Sequence, residues 1–140
     1  MSTKIFVNLP VKDLQQSISF FTGLGYSINQ QFTDEKAACL VISEHIYAML
    51  LTEPFFKTFT RKELADTATT TEVILALSAE SRNAVDTIAD KAVTLGAAAK
   101  DPQDHGFMYT RSFQDPDGHE WEVFWMDPEY VHQDTAAAHN

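Results

Sequence analysis

The apolar positions of the chain fall into two rounds of the same order. Residues 4–9, Lys-Ile-Phe-Val-Asn-Leu, predict a β-strand that Pro10 stops. Asp13 reads as a helix N-cap, with Gln16 three residues on as its capping-box partner. Leu14, Ile18 and Phe21 follow at helical spacing. The helix should end near Thr22, where Gly23 and Gly25 supply stop signals. Three short strands are expected over about 26–32, 37–43 and 46–52, with Ser43-Glu44-His45 as a tight turn between the last two.

Residues 53–70 break the pattern. The stretch Glu53-Pro54-Phe55-Phe56-Lys57-Thr58-Phe59 is aromatic-rich, residues 61–66 suit a short helix, and 67–71 read as a connector. Phe55, Phe56 and Phe59 read either as a lid over an apolar pocket or as a satellite cluster or dimer contact. The opening order then recurs. Residues 72–77 predict a strand and Ser81 a cap, and Val85, Ile88, Ala89, Ala92 and Leu95 make one apolar helical face that Gly96 ends. Two further strands are expected over about 107–114 and 119–126. Between them, Asp115-Pro116-Asp117-Gly118 has proline and glycine where a tight turn needs them. Each helix ends in a Leu-Gly pair, Leu24-Gly25 and Leu95-Gly96, and the matching element order points to an internal duplication. The expected layout is one domain over 1–140: a module over about 4–52, a connector over 53–71, a second module over 72–127 and a frayed tail over 128–140.

Composition narrows the function classes. At 140 residues, 44% apolar and 21% charged, the chain has ordinary globular usage, which argues against disorder. A lone cysteine, Cys39, excludes an internal disulfide framework and a cysteine-rich zinc module, and its strand position reads as a buried, inert thiol. The formal net charge of −10 opposes non-specific binding to nucleic acid and to anionic membranes, and it favours cationic ligands. No secretory signal opens the chain, and the apolar run 46–51 is far too short to span a bilayer, so a soluble, cytoplasmic protein is expected. There is no glycine-rich phosphate loop and no nucleophile-elbow pattern.

Two stretches carry a family resemblance. Val7-Asn8-Leu9-Pro10-Val11-Lys12-Asp13-Leu14, with Ser19-Phe20-Phe21 and Leu24-Gly25-Tyr26, resembles the opening of the vicinal oxygen chelate superfamily of glyoxalases, bleomycin-resistance proteins and extradiol dioxygenases. Asp115-Pro116-Asp117-Gly118-His119-Glu120-Trp121-Glu122 resembles its closing signature. The likeness runs over about 4–127 and is nearest to the small bacterial branch labelled predicted lactoylglutathione lyase. It implies an α+β fold of two βαβββ modules, forming a curved mixed sheet around a cavity with the helices on the convex side. It also implies a homodimer and, in the metal enzymes, a divalent ion held by four strand positions, two per module.

Carried over residue by residue, those positions fall at Phe6, Met49, Ile74 and Glu122, with Met49 placed to within a residue or two. Only Glu122 keeps a ligand type. Phenylalanine and isoleucine cannot coordinate, a thioether suits hard divalent ions poorly, and such sites need three or more protein donors. No family-type metal and no cofactor are therefore expected. His119 and Glu122 lie three apart on a strand and face opposite sides. His45, His105, His132 and His139 show no ligand spacing.

Glu122 is the candidate catalytic residue. It reads as a carboxylate in an apolar cavity, a potential general base, or as half of a cross-strand pair with Arg111 should Asp115–Gly118 form a four-residue loop. Glu120 shares its face and would either pair with it around a cation or sit at the sheet rim in water. Phe6, Asn8, Tyr47, Met49, Ile74, Tyr109, Arg111 and Phe124 complete the candidate ligand-binding set. Asn8 would bond a ligand or a buried backbone group, and Tyr109 would present a cavity hydroxyl or pack as an aromatic. Trp121, Val123 and Trp125, on the other face of the last strand, are expected to pack on a helix. The leading expectation is a protein that binds a small, partly apolar molecule without the family's metal. The alternatives are a metal-dependent lyase or isomerase of lactoylglutathione-lyase type, and a non-catalytic interaction module whose pocket has collapsed.

Overall fold

The computed structural model describes residues 2–130 and resolves two compact units. The first comprises residues up to Glu72 together with Asp115–His119; the second comprises Val73–Gln114 and the chain from Glu120. His132, His139 and the rest of the tail beyond 130 lie outside the described residues. Tyr130, within the expected frayed segment, stacks on Phe107 with ring centroids 4.1 Å apart.

In the first unit, strand β1 (Ile5–Val11) leads into helix α1 (Leu14–Gly23), then β2 (Ser27–Asn29), β3 (Ala37–Val41) and β4 (Ile46–Thr52). The sheet order is β1-β4-β3-β2, with β1 parallel to β4 and the other pairs antiparallel. Asp13 caps α1 by accepting the Gln16 N–H at 3.1 Å. Leu9, Val11, Ala38, Leu40, Ala48 and Leu50, alternating along three strands, are buried with Phe20 and Phe21 of α1. Strand β1 runs through Pro10 instead of stopping there. It is an edge strand, so the missing proline N–H breaks no ladder. The expected strand over 26–32 shortens to β2, because the Asn29 side chain accepts from the Gln31 N–H and turns the chain into a 3-10 turn, Gln30–Phe32. The connector helix lies earlier than expected. It is α2, Glu53–Lys57, with a proline in its first turn, while residues 61–66 are not helical.

The second unit repeats the order with β5 (Ile74–Ser78), α3 (Arg82–Thr94), β6 (Gln103–Asp104), β7 (Met108–Gln114) and β8 (Glu120–Met126). Its order is β5-β8-β7-β6, again with the first strand parallel to the last. Ser81 caps α3 through the Ala84 N–H at 3.0 Å. Strand β6, two residues long, carries no periodic signal in the sequence. Val85, Ala89 and Ala92 of α3 are buried, as are Phe113, Trp121 and Val123 of the β7–β8 hairpin. The backbone hydrogen bonds therefore build two four-stranded mixed sheets, one per βαβββ module, the α+β class that the sequence led us to expect.

Candidate functional site

In each unit the sheet has one face covered by its long helix and one turned away from it. The first sheet turns Phe6 and Asn8 of β1 away from α1, beside Tyr47 and Met49 of β4. Phe6 is 48% exposed and stacks flat on Tyr47, with centroids 4.6 Å apart and planes 10° apart. The Tyr47 hydroxyl donates to the Glu44 carbonyl at 2.9 Å, and the Lys4 ammonium lies 5.7 Å from its ring. Asn8 donates to the Phe6 carbonyl at 3.2 Å and is exposed, so it satisfies a neighbouring backbone group at the surface.

The second sheet turns Ile74, Ala76 and Ser78 of β5 away from α3, together with Glu120, Glu122 and Phe124 of β8. Ile74 is 56% exposed. Glu120 accepts from Gln114 Nε2 at 2.8 Å and lies 4.0 Å from the Lys100 ammonium. Glu122 sits half-buried between Ala76 and Ser112, and its carboxylate makes no hydrogen bond or ion pair among the described residues.

The two sheets repeat one register relation. Phe6 pairs with Tyr47, two residues before Met49, and Ile74 pairs with Glu120, two residues before Glu122. Met49 and Glu122 are thus equivalent positions of the duplicated module. Of the four positions Phe6, Met49, Ile74 and Glu122, only the last offers a donor to a hard divalent ion. Among the described residues no group of three or more His, Cys, Asp and Glu side chains is gathered as a metal ion would need. The residues present do not fit the family's metal.

Two candidate residues lie on the other face. The β7–β8 loop runs from Asp115 to His119, one residue longer than the expected four, so Ser112 stands opposite Glu122 and Arg111 opposite Val123. A one-residue shift in register moves a side chain to the opposite face. Arg111 therefore meets α3 and not Glu122, donating to Asp90 at 2.7 Å and to Asp86 at 3.1 Å. Tyr109 lies on the same side and donates to Asp86 at 2.7 Å. That hydrogen bond, joined by the Arg111 contact and opposed by partial burial, holds the Asp86 carboxyl below its usual range. The Tyr109–Arg111–Asp86–Asp90 cluster fastens α3 to β7. Trp121 and Val123 are buried on this helix side, and the Arg82 guanidinium lies over the rings of Tyr109 and Trp125.

The sequence also leaves a second cluster unread. In the first unit, a cavity of about 220 Å³ is bordered by Pro10 and Lys12, by the connector over 64–67 and by Asp117 and His119 of the turn. His119 is only 2% exposed. Its Nδ1 lies 2.7 Å from a Glu72 oxygen and its Nε2 2.8 Å from the Pro10 carbonyl. The Asp117 carboxylate accepts from the Lys12 N–H at 2.8 Å and the Ser17 hydroxyl at 3.1 Å, and Thr67 donates to the Asp117 carbonyl. A histidine directly after a Asp-Pro-Asp-Gly turn is the only signal for this cluster in the sequence.

The family model described as Glyoxalase/Bleomycin resistance protein/Dioxygenase superfamily matches residues 5–123. No curated protein matches the chain. Among solved structures, hypothetical protein SA1046 from S. aureus is 26% identical, with 89% of this chain and 95% of that one covered and a TM-score of 0.75. The fosfomycin resistance protein FosX from Mesorhizobium loti is 14% identical over 94% and 98% of the two chains, at a TM-score of 0.69. TnmS3, an antibiotic binding protein from Streptomyces sp. CB03234, is 16% identical over 90% and 97%, at 0.65.

Proposed function

The chain belongs to the glyoxalase/bleomycin resistance protein/dioxygenase superfamily, and we propose that it binds a small, partly apolar, positively charged molecule without the metal of the family's enzymes. The observation that carries this reading is the Glu122 carboxylate, half-buried and without a partner among the described residues. An acceptor-only group held partly away from water, with nothing bonded to it, gains from a ligand that brings a donor and a positive charge. A charge-assisted hydrogen bond at such a place contributes about 1.5–3 kcal/mol. Phe124 and Ala76 beside it offer apolar surface, and Ser112 opposite it offers a hydroxyl. The net charge of −10 attracts such a ligand from a distance.

The lactoylglutathione-lyase reading has less support, because it needs donors that Phe6, Met49 and Ile74 do not supply. Binding of a small molecule has a precedent on this fold in the Streptomyces antibiotic binding protein. The test is a thermal-unfolding series with benzylammonium, benzyl alcohol and benzoate, which share an apolar body and differ in charge. The cation should raise the midpoint in a concentration-dependent way and the other two should not. Equal effects of all three, or stabilisation by benzoate alone, would contradict the reading.

A further inference from the structure

We infer that His119 is a pH-operated latch: its imidazolium holds the end of the connector against the edge of the first sheet, and deprotonation releases it. This inference is independent of the ligand reading above. Both ring nitrogens face oxygen acceptors, the Glu72 carboxylate at 2.7 Å and the Pro10 carbonyl at 2.8 Å. A neutral imidazole carries one N–H and can donate to only one of them, so both contacts together require the cation. Pro10 lies on an edge strand, so its carbonyl has His119 where an inner strand would have a ladder partner.

The charged groups around the ring favour that cation. Asp115 and Asp117 belong to the same turn, and Glu72 extends the connector, because β5 begins only at Ile74 and not at 72 as expected. Glu53, Asp66 and Lys12 border the adjoining cavity. Burial alone would lower the ring's pKa. The Asp115 charge, the Pro10 carbonyl and Glu72 outweigh it and raise the pKa above the ordinary histidine value.

On deprotonation one contact must fail. The Pro10 carbonyl is fixed in a strand, whereas the Glu72 side chain, about 30% exposed, can turn to water. The neutral ring therefore keeps Pro10 and releases Glu72. Release loosens the connector that borders the cavity, leaving Thr67 on Asp117 as its hydrogen bond to the turn among the described residues. A group with a raised pKa in the closed state holds that state fully below the open-state pKa, and the hold is lost as pH rises through the closed-state value.

The test reads amide hydrogen exchange of Thr69 and Thr70, whose N–H groups bond the Asp66 carbonyl within the connector, from pH 6 to pH 10, with each rate divided by that of an unstructured peptide of the same sequence. Protection in the intact protein should fall by up to about tenfold per pH unit between the open-state and closed-state pKa. Glu72→Gln should flatten this dependence, because an amide can accept from the cationic ring and donate to the neutral one. Long-range proton–nitrogen spectra should show both His119 nitrogens protonated at neutral pH, losing one proton over the same range. Constant protection in the intact protein, an unchanged pH dependence in Glu72→Gln, or a neutral His119 ring at pH 6 would each overturn the proposal.

Discussion

Gly118 shows how much a single residue of the β7–β8 turn decides. Its φ is +82°, and a Cβ there would lie 2.8 Å from the Thr67 hydroxyl oxygen, which itself donates to Asp117. Gly118→Ala therefore combines left-handed strain with a clash against a side chain already committed to a hydrogen bond. It should lower the unfolding free energy by about 1–3 kcal/mol, read from the midpoint of a urea transition at constant slope. The caps at Asp13 and Ser81 were legible in the sequence because each bonds a residue three positions on. The role of His119 was not, because its partners lie 47 and 109 residues away. Local hydrogen bonds leave a spacing; distant ones leave only a residue type.

Strand and helix positions followed the apolar periodicity closely, and β4 matched its expected span of 46–52. The face of each hairpin residue did not follow so directly. Whether Arg111 or Ser112 opposes Glu122 depends on one residue in a turn, and the turn's composition suits loops of either length. At this scale, charged pairs fasten α3 to the strands beside it. Arg82 donates to both Asp104 oxygens, at 2.8 and 3.0 Å, and to the Gly106 carbonyl at 2.9 Å. The Arg82 hydrogen bonds, with the Gly106 N–H, hold the Asp104 carboxyl down to about 2. Because this pKa is depressed in the folded state, the stabilisation is present above the ordinary carboxylate range and is lost as pH falls through about 2. Carbonyl-carbon chemical shifts against pH should show Asp104 titrating near 2 in the intact protein. In Arg82→Gln they should show it back towards the ordinary aspartate range. An unchanged Asp104 titration in that variant would show that Arg82 is not the cause.

At the scale of the whole molecule, duplication explains the fold. Both modules carry the same βαβββ order and the same register between first and last strands. The opening and closing motifs made that order readable in the sequence. The four positions where the resemblance implies a metal were readable too, as residue types that mostly cannot coordinate. What the sequence left open was whether Glu122 is paired, and the register leaves it without a partner among the described residues. Under the proposed function this carboxylate meets a cationic ligand directly. Calorimetric titration with benzylammonium, in buffer containing a chelator, tests this when run on the intact protein and on Glu122→Gln. Binding should be saturable, unaffected by the chelator and weakened by about tenfold or more in Glu122→Gln, the loss of one charge-assisted contact. Equal affinity in the two proteins, or binding that disappears with the chelator, would contradict it.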